Sequence, residues 1–125
     1  MMAPTIPAIL VVEDEPDILM ILRRILRDVT SEYDIIAVPH ARTALKQLAL
    51  QDCALVITDY AMPDMTGLDL AQHIQRMAPQ TPVVMITAYA NPELLHAAKA
   101  AGVVYVLYKP FSVGELEQVL RTYLP

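Results

Sequence analysis

The sequence contains no tryptophan, one cysteine and only three glycines in 125 residues. The lone thiol, Cys53, excludes an internal disulfide and a cysteine-paired metal site, and is read as a small core residue. Gly67, Gly102 and Gly114 are too far apart to form either of the glycine-rich loops that cradle nucleotide phosphates. No apolar run is long and charge-free enough to span a bilayer, so no membrane association is expected. Basic charge is scarce as well, with 9 Lys and Arg against 14 Asp and Glu and a formal net charge of -5. Apart from Arg23, Arg24 and Arg27 the bases are spread along the chain, which argues against a nucleic-acid surface in this domain. The opening stretch MMAPTIPAILVVEDEP has no basic residue ahead of its apolar run and meets carboxylates at once, unlike a secretory signal. A cytoplasmic location is the expectation.

What the sequence has in quantity is apolar residues, 55% of the chain against 18% charged, enough for one well-buried core at this length. The apolar positions fall into short continuous runs separated by helical periods. The runs AILVV (Ala8 to Val12), YDIIAV (Tyr33 to Val38), ALVIT (Ala54 to Thr58), VVMIT (Val83 to Thr87) and VVYVLY (Val103 to Tyr108) are rich in Val and Ile. They read as strands buried on both faces, the habit of parallel sheets. Between and after them, helices are expected near Asp17 to Val29, Ala41 to Leu50 and Leu68 to Ala78, then after Asn91 and after Ser112. Asn91 has N-cap chemistry with Pro92 at the first helical position and Gly102 just past the end, and Ser112 and Glu115 have capping-box spacing. Five strands alternating with five helices predict an α/β fold with a parallel sheet and helices on both faces. Residues 1–7 are expected to be a flexible leader and residues 8–125 a single domain.

Doubly wound sheets bind ligands outside the carboxyl ends of their strands. At that edge the first strand runs into Glu13, Asp14 and Glu15, the third into Asp59, the fourth ends on Thr87, and the fifth runs into Lys109. Two like charges about 4 Å apart repel by roughly 4 kcal/mol at an effective dielectric near 20, so these carboxylates need a cation. A few carboxylates without His or Cys suit Mg²⁺, above all where phosphate oxygens complete the shell. Lys109 offers a mobile positive charge and Thr87 a hydroxyl donor. Carboxylates, Mg²⁺, lysine and hydroxyl are the parts of a phosphoryl-transfer site, with Asp59 as the nucleophile that forms an acyl phosphate. The segment from Pro63 to Gly67 would then turn the chain away and leave Asp59 accessible.

The stretches VVEDEP, VITDYAMPDMTG, VVMITAYA and YKPF follow one another in the order and spacing of the receiver domains of two-component response regulators, and the chain resembles that family over nearly its whole length. The resemblance implies a flavodoxin-like sheet with strand order 2-1-3-4-5. It implies that Asp59 is the phosphoacceptor, served by a phosphohistidine on a sensor histidine kinase or a histidine phosphotransfer protein. By the same resemblance Asp14 and Asp59 are direct Mg²⁺ ligands, Glu13 acts through water, and Ala61 gives its backbone carbonyl. Thr87 and Lys109 are the phosphoryl-binding switch residues, and the bond before Pro110 is cis. The domain would catalyse only its own phosphorylation and dephosphorylation, and would act on an output partner or a fused output domain.

One position departs from the family pattern. Three residues before Lys109 the family carries an aromatic switch residue, whereas this chain has Val106, flanked by Tyr105 and Tyr108. Tyr89, two residues after Thr87, is expected to stand over the site and restrict water. Two other functions compete with the switch. A Mg²⁺-dependent phosphohydrolase with an aspartyl nucleophile would want a second acid two residues after Asp59, where Ala61 stands. A receiver-like interaction module working without phosphate is favoured by Val106 and opposed by the intact acidic site.

Overall fold

The computed structural model describes residues 6–89 and 91–125. Of the leader expected over residues 1–7, the first five lie outside the described residues, and Pro7 already accepts a hydrogen bond from the Asp34 N–H, 3.1 Å. The elements are β1 (Ala8–Val12), α1 (Pro16–Val29), β2 (Asp34–Val38), α2 (Ala41–Leu50), β3 (Cys53–Asp59), α3 (Gly67–Met77), β4 (Val83–Thr87), α4 (Pro92–Ala100), β5 (Val103–Tyr108) and α5 (Val113–Tyr123). The strands form one parallel sheet in the order β2-β1-β3-β4-β5, the flavodoxin-like arrangement.

Local chemistry accounts for the helix boundaries. Asn91 accepts from the Leu94 N–H at 2.7 Å ahead of Pro92, and Gly102, at φ 95°, supplies the left-handed residue that ends α4. Ser112 and Glu115 make the expected capping box at α5, and Thr66 and Asp69 make another at α3. That second box starts α3 at Gly67, so the turn after β3 closes one residue earlier than the sequence suggests. The Lys109–Pro110 bond is cis.

Two apolar layers sandwich the sheet. Leu22 and Leu26 of α1 with Leu116, Val119 and Leu120 of α5 cover Ile9, Val11, Leu55, Ile57, Val84 and Ile86. On the other face α2, α3 and α4 pack through Ala44, Leu70, Ile74, Leu94 and Ala98 against Leu10, Val12, Val56 and Met85. Each fully buried Leu or Ile contributes roughly 1.5–3 kcal/mol. β1 and β4 are buried throughout, but β2 and β5 are only partly so. The expectation of five strands buried on both faces fails for these two because they are the sheet edges, where helix cover ends. Cys53 is half-buried at the rim of the second layer. Among the described residues no helix is long and apolar enough to cross a membrane.

Candidate functional site

Parallel register carries the site. Val12 lies opposite Thr58, Asp59 opposite Ile86, and Thr87 opposite Tyr108. The next residue along each strand therefore falls at one edge, which brings Glu13, Asp59, Thr87 and Lys109 together. Ladder bonds extend past the strand ends: Glu13 N–H donates to the Val38 carbonyl (3.1 Å), Tyr60 N–H to Ile86 (2.9 Å) and Lys109 N–H to Thr87 (2.9 Å).

Glu13, Asp14 and Asp59 each present a carboxylate oxygen within 4.8 Å of the others. Lys109 Nζ stands 3.3 Å from Asp59 Oδ1 and 3.8 Å from Glu13 Oε2. One ammonium thus pairs with two of the three clustered carboxylates. Glu13 is fully buried, and its Oε2 has no hydrogen-bond partner. Burial and then the neighbouring Asp59 charge push the Glu13 carboxyl up from 4.5 to about 7, against the pull of Lys109. An orphaned, desolvated carboxylate oxygen beside two more oxygen donors is what a hard divalent cation relieves, so these residues fit such an ion. Asp14, partly exposed, leaves the cluster open to water.

Asp59 is buried, and its Oδ1 accepts from the Tyr60 N–H at 2.9 Å. Thr87 is also buried, and its Oγ1 accepts from the Tyr89 N–H at 3.0 Å. Because that bond uses a lone pair, the hydroxyl proton is left to donate. The Tyr89 ring is 59% exposed and meets Tyr60 edge-on, with centroids 6.4 Å apart and planes at 82°. Tyr89 therefore reaches the rim of the site through Tyr60, a partner that nothing in the sequence had singled out. Ala61 is exposed in the loop from Tyr60 to Thr66, and the Gly67 N–H closes the base of that loop on the Tyr60 carbonyl, 2.8 Å.

Gly67 is more than a turn residue. A Cβ there would lie 2.5 Å from the Asp59 carbonyl oxygen, so α3 starts against the strand end only because the side chain is absent. The signal was a glycine inside a Thr-x-x-Asp capping pattern. Val106 is half-buried, opposite Met85, against the layer of α2, α3 and α4; it supplies aliphatic packing and no ring. Tyr105 points elsewhere, exposed and paired with Tyr123 of α5 at 6.2 Å. A concavity of about 700 Å³ lies at the opposite end of the sheet among Cys53, Gln75, Pro82 and Pro125, and it contains none of Glu13, Asp14 and Asp59.

The profile of the response regulator receiver domain matches residues 9–121. The response regulator protein PilR of Pseudomonas aeruginosa is 39% identical over 115 residues, covering 92% of this chain but 25% of PilR. The chain thus spans about a quarter of that relative. The chemotaxis protein CheY-3 of Vibrio cholerae is 36% identical over 118 residues, covering 90% of this chain and 87% of CheY-3. Among solved structures, the response regulator protein TrrA of Thermotoga maritima, in complex with Mg²⁺-BeF, superimposes with a TM-score of 0.83 at 29% identity, covering 94% of this chain and 99% of TrrA. The register that gathers the acidic edge and the match along almost the whole chain agree, and the chain belongs to the response regulator receiver domain family.

Proposed function

We propose that this receiver domain is a phosphorylation-dependent signalling switch in which Asp59 accepts a phosphoryl group from a phosphohistidine on a sensor histidine kinase or histidine phosphotransfer protein. The observation that carries the reading is the edge cluster itself, with Asp59 Oδ1 3.3 Å from Lys109 Nζ beside the Oε2 of buried Glu13, which has no hydrogen-bond partner. Mg²⁺ is the cation that the oxygen-only donor set favours, and the similar TrrA holds Mg²⁺-BeF. Asp14 and Asp59 would hold it directly, Glu13 through water and Ala61 by its backbone carbonyl. When bound, the ion neutralises the carboxylates and the charge that develops on the phosphoryl oxygens.

The chain's own residues then do the following. A carboxylate oxygen of Asp59 attacks phosphorus, forming the acyl phosphate as the donor's P–N bond breaks. The electron pair stays on the imidazole, which takes a proton from solvent. Lys109, held near Asp59 already, pairs with a phosphoryl oxygen, and Thr87 donates its uncommitted hydroxyl proton to another. Tyr89, braced on Tyr60, limits the approach of water to the acyl phosphate. The acyl phosphate carries close to two negative charges where the carboxylate carried one, and this change biases the domain toward whichever conformation pairs it better, changing affinity for a partner at the face of α4, β5 and α5. With Val106 half-buried and aliphatic, no ring is available at that position to turn inward.

Val106 also favours a second reading, a phosphate-independent interaction module, and one experiment separates the two. Wild type incubated with acetyl phosphate and Mg²⁺ should take up one phosphoryl group, and Asp59→Asn should take up none. Undiminished labelling of Asp59→Asn, or an unlabelled wild type, overturns the assignment.

A further inference from the structure

The first backbone N–H groups of a helix have no partner within it and are satisfied by a capping side chain or by water. In α3, α4 and α5 the cap is the residue just before the helix, Thr66, Asn91 or Ser112. α2 differs. Its preceding residue, His40, makes no side-chain cap bond, and no acid stands in its first turn. Ala41 at its start is completely buried, so water is a poor substitute. The partner comes from the loop between β3 and α3: Asp64 accepts from the Arg42 N–H at 3.0 Å and from the Ala41 N–H at 3.4 Å, one carboxylate oxygen to each. Burial works to raise the Asp64 carboxyl, but these two N–H groups and those of Asp64 and Met65 together hold it below the usual carboxylate value. It therefore stays charged at neutral pH.

Asp64 lies three residues after Ala61 in the loop between β3 and α3. That loop is closed at its base by the Gly67 to Tyr60 bond, 2.8 Å, and Asp64 is its tie near the tip. We infer that Asp64 is a positioning residue for the cation site: by clamping the loop onto the N-terminus of α2 it fixes the backbone carbonyl of Ala61. The inference rests on the phosphorylation reading above, because that reading makes the Ala61 carbonyl a ligand. Met62 and Met65, which pack against the α2, α3 and α4 layer, are the competing anchors. If they suffice, Asp64 is only a helix cap.

The two roles separate when the helix is capped without the loop. Asp64→Ala removes both functions, and adding His40→Ser gives α2 an ordinary N-cap while leaving the loop untied. The readouts are urea unfolding and titration of the full chain with MgCl₂ followed by ¹H–¹⁵N NMR. Asp64→Ala should lose stability and bind Mg²⁺ about tenfold more weakly. The double variant should regain stability and keep the weakened Mg²⁺ affinity, while Asp64→Asn, which retains one acceptor oxygen, should fall between wild type and Asp64→Ala. Mg²⁺ affinity within twofold of wild type in the double variant overturns the inference; if Asp64→Ala does not fold, the same limit applied to Asp64→Asn decides it. A wild type that takes up no Mg²⁺ overturns the cation site itself, a different failure from equal binding by wild type and variant.

Discussion

Glycine to alanine in a helix ordinarily stabilises by about 0.5–1 kcal/mol, and Gly67→Ala should do the reverse. Gly67 is the first residue of α3, inside an intact capping box, so propensity alone predicts a gain. Yet an added Cβ would meet three backbone atoms: the Asp59 carbonyl oxygen at 2.5 Å, Tyr60 Cα at 3.1 Å and the Asp59 carbonyl carbon at 3.3 Å. None belongs to a side chain that could rotate away. The Gly67 N–H is held to Tyr60 at 2.8 Å, and the Tyr60 N–H is held to Ile86 at 2.9 Å, so the helix start and the strand end must part together. Overpacking of this kind costs about 1–3 kcal/mol, leaving a net destabilisation of up to about 2.5 kcal/mol, centred a little above 1 kcal/mol, once the propensity gain is subtracted. In urea that is a midpoint lower by roughly 0.5–1 M for a domain of this size. Gly114→Ala is the control. Its Cβ would meet nothing nearer than Ser112 Oγ at 3.8 Å, so the same change within α5 should raise the midpoint. Equal shifts at the two glycines, or a more stable Gly67→Ala, would refute the close-approach reasoning.

The raised carboxyl of Glu13 predicts how the metal-free domain responds to pH. Since its folded value of about 7 lies above 4.5, the contribution is fully present below 4.5 and is lost as pH rises through 7, a loss of roughly 3 kcal/mol. Glu13→Gln, which still faces Asp14, Asp59 and Lys109, should flatten that part of the stability profile measured in EDTA between pH 4.5 and 8; parallel profiles for variant and wild type would show that Glu13 is not the group responsible. Tyr89→Ala should leave folding stability within about 1 kcal/mol, the worth of an edge-on ring pair, while hastening loss of phosphate from Asp59 several-fold. An unchanged decay of the acyl phosphate would remove Tyr89 from the site.

The sequence made the acidic edge legible because a parallel sheet turns strand ends into neighbours. Once β1, β3, β4 and β5 are recognised, Glu13, Asp59, Thr87 and Lys109 must share an edge, whatever the loops do. Local caps were equally readable at Asn91 and Ser112, since cap and helix are adjacent in the chain. What escaped were contacts between segments with no periodic relation. Asp64 reads as a turn residue after Pro63, and nothing local announces that its partners are Ala41 and Arg42, more than twenty positions earlier. Tyr60 reads as an aromatic after a strand, and its edge contact with Tyr89 depends on how two loops leave the sheet. The partial exposure of β2 and β5 depends on strand order, which apolar runs alone do not encode.

The electrostatic conflict at the edge is itself informative about function. Among the described residues, Thr58 Oγ1 donates to the Asp59 carbonyl, Thr81 Oγ1 to the Cys53 carbonyl, and the Asp59 carboxylate and Thr87 hydroxyl accept backbone N–H bonds. Among the described residues only Glu13 Oε2 is buried without a hydrogen-bond partner, with just the Lys109 ammonium 3.8 Å away. Folding selects against such a group, because leaving it unpaired costs about 1–3 kcal/mol or more when charged, and a protein tolerates that only where the rest of the structure over-determines the site. Here the surplus comes from the buried apolar strands that carry Glu13 and Asp59, β1 and β3. A single lysine cannot neutralise three carboxylates, so the metal-free edge is poised to gain from any added cation. The positive charge that such a cation brings is also what an incoming phosphoryl group requires. A site that is electrostatically incomplete when empty is therefore better suited to ligand-controlled switching than a fully satisfied one, since only an incomplete site leaves the ligand a differential interaction with which to shift the conformational balance.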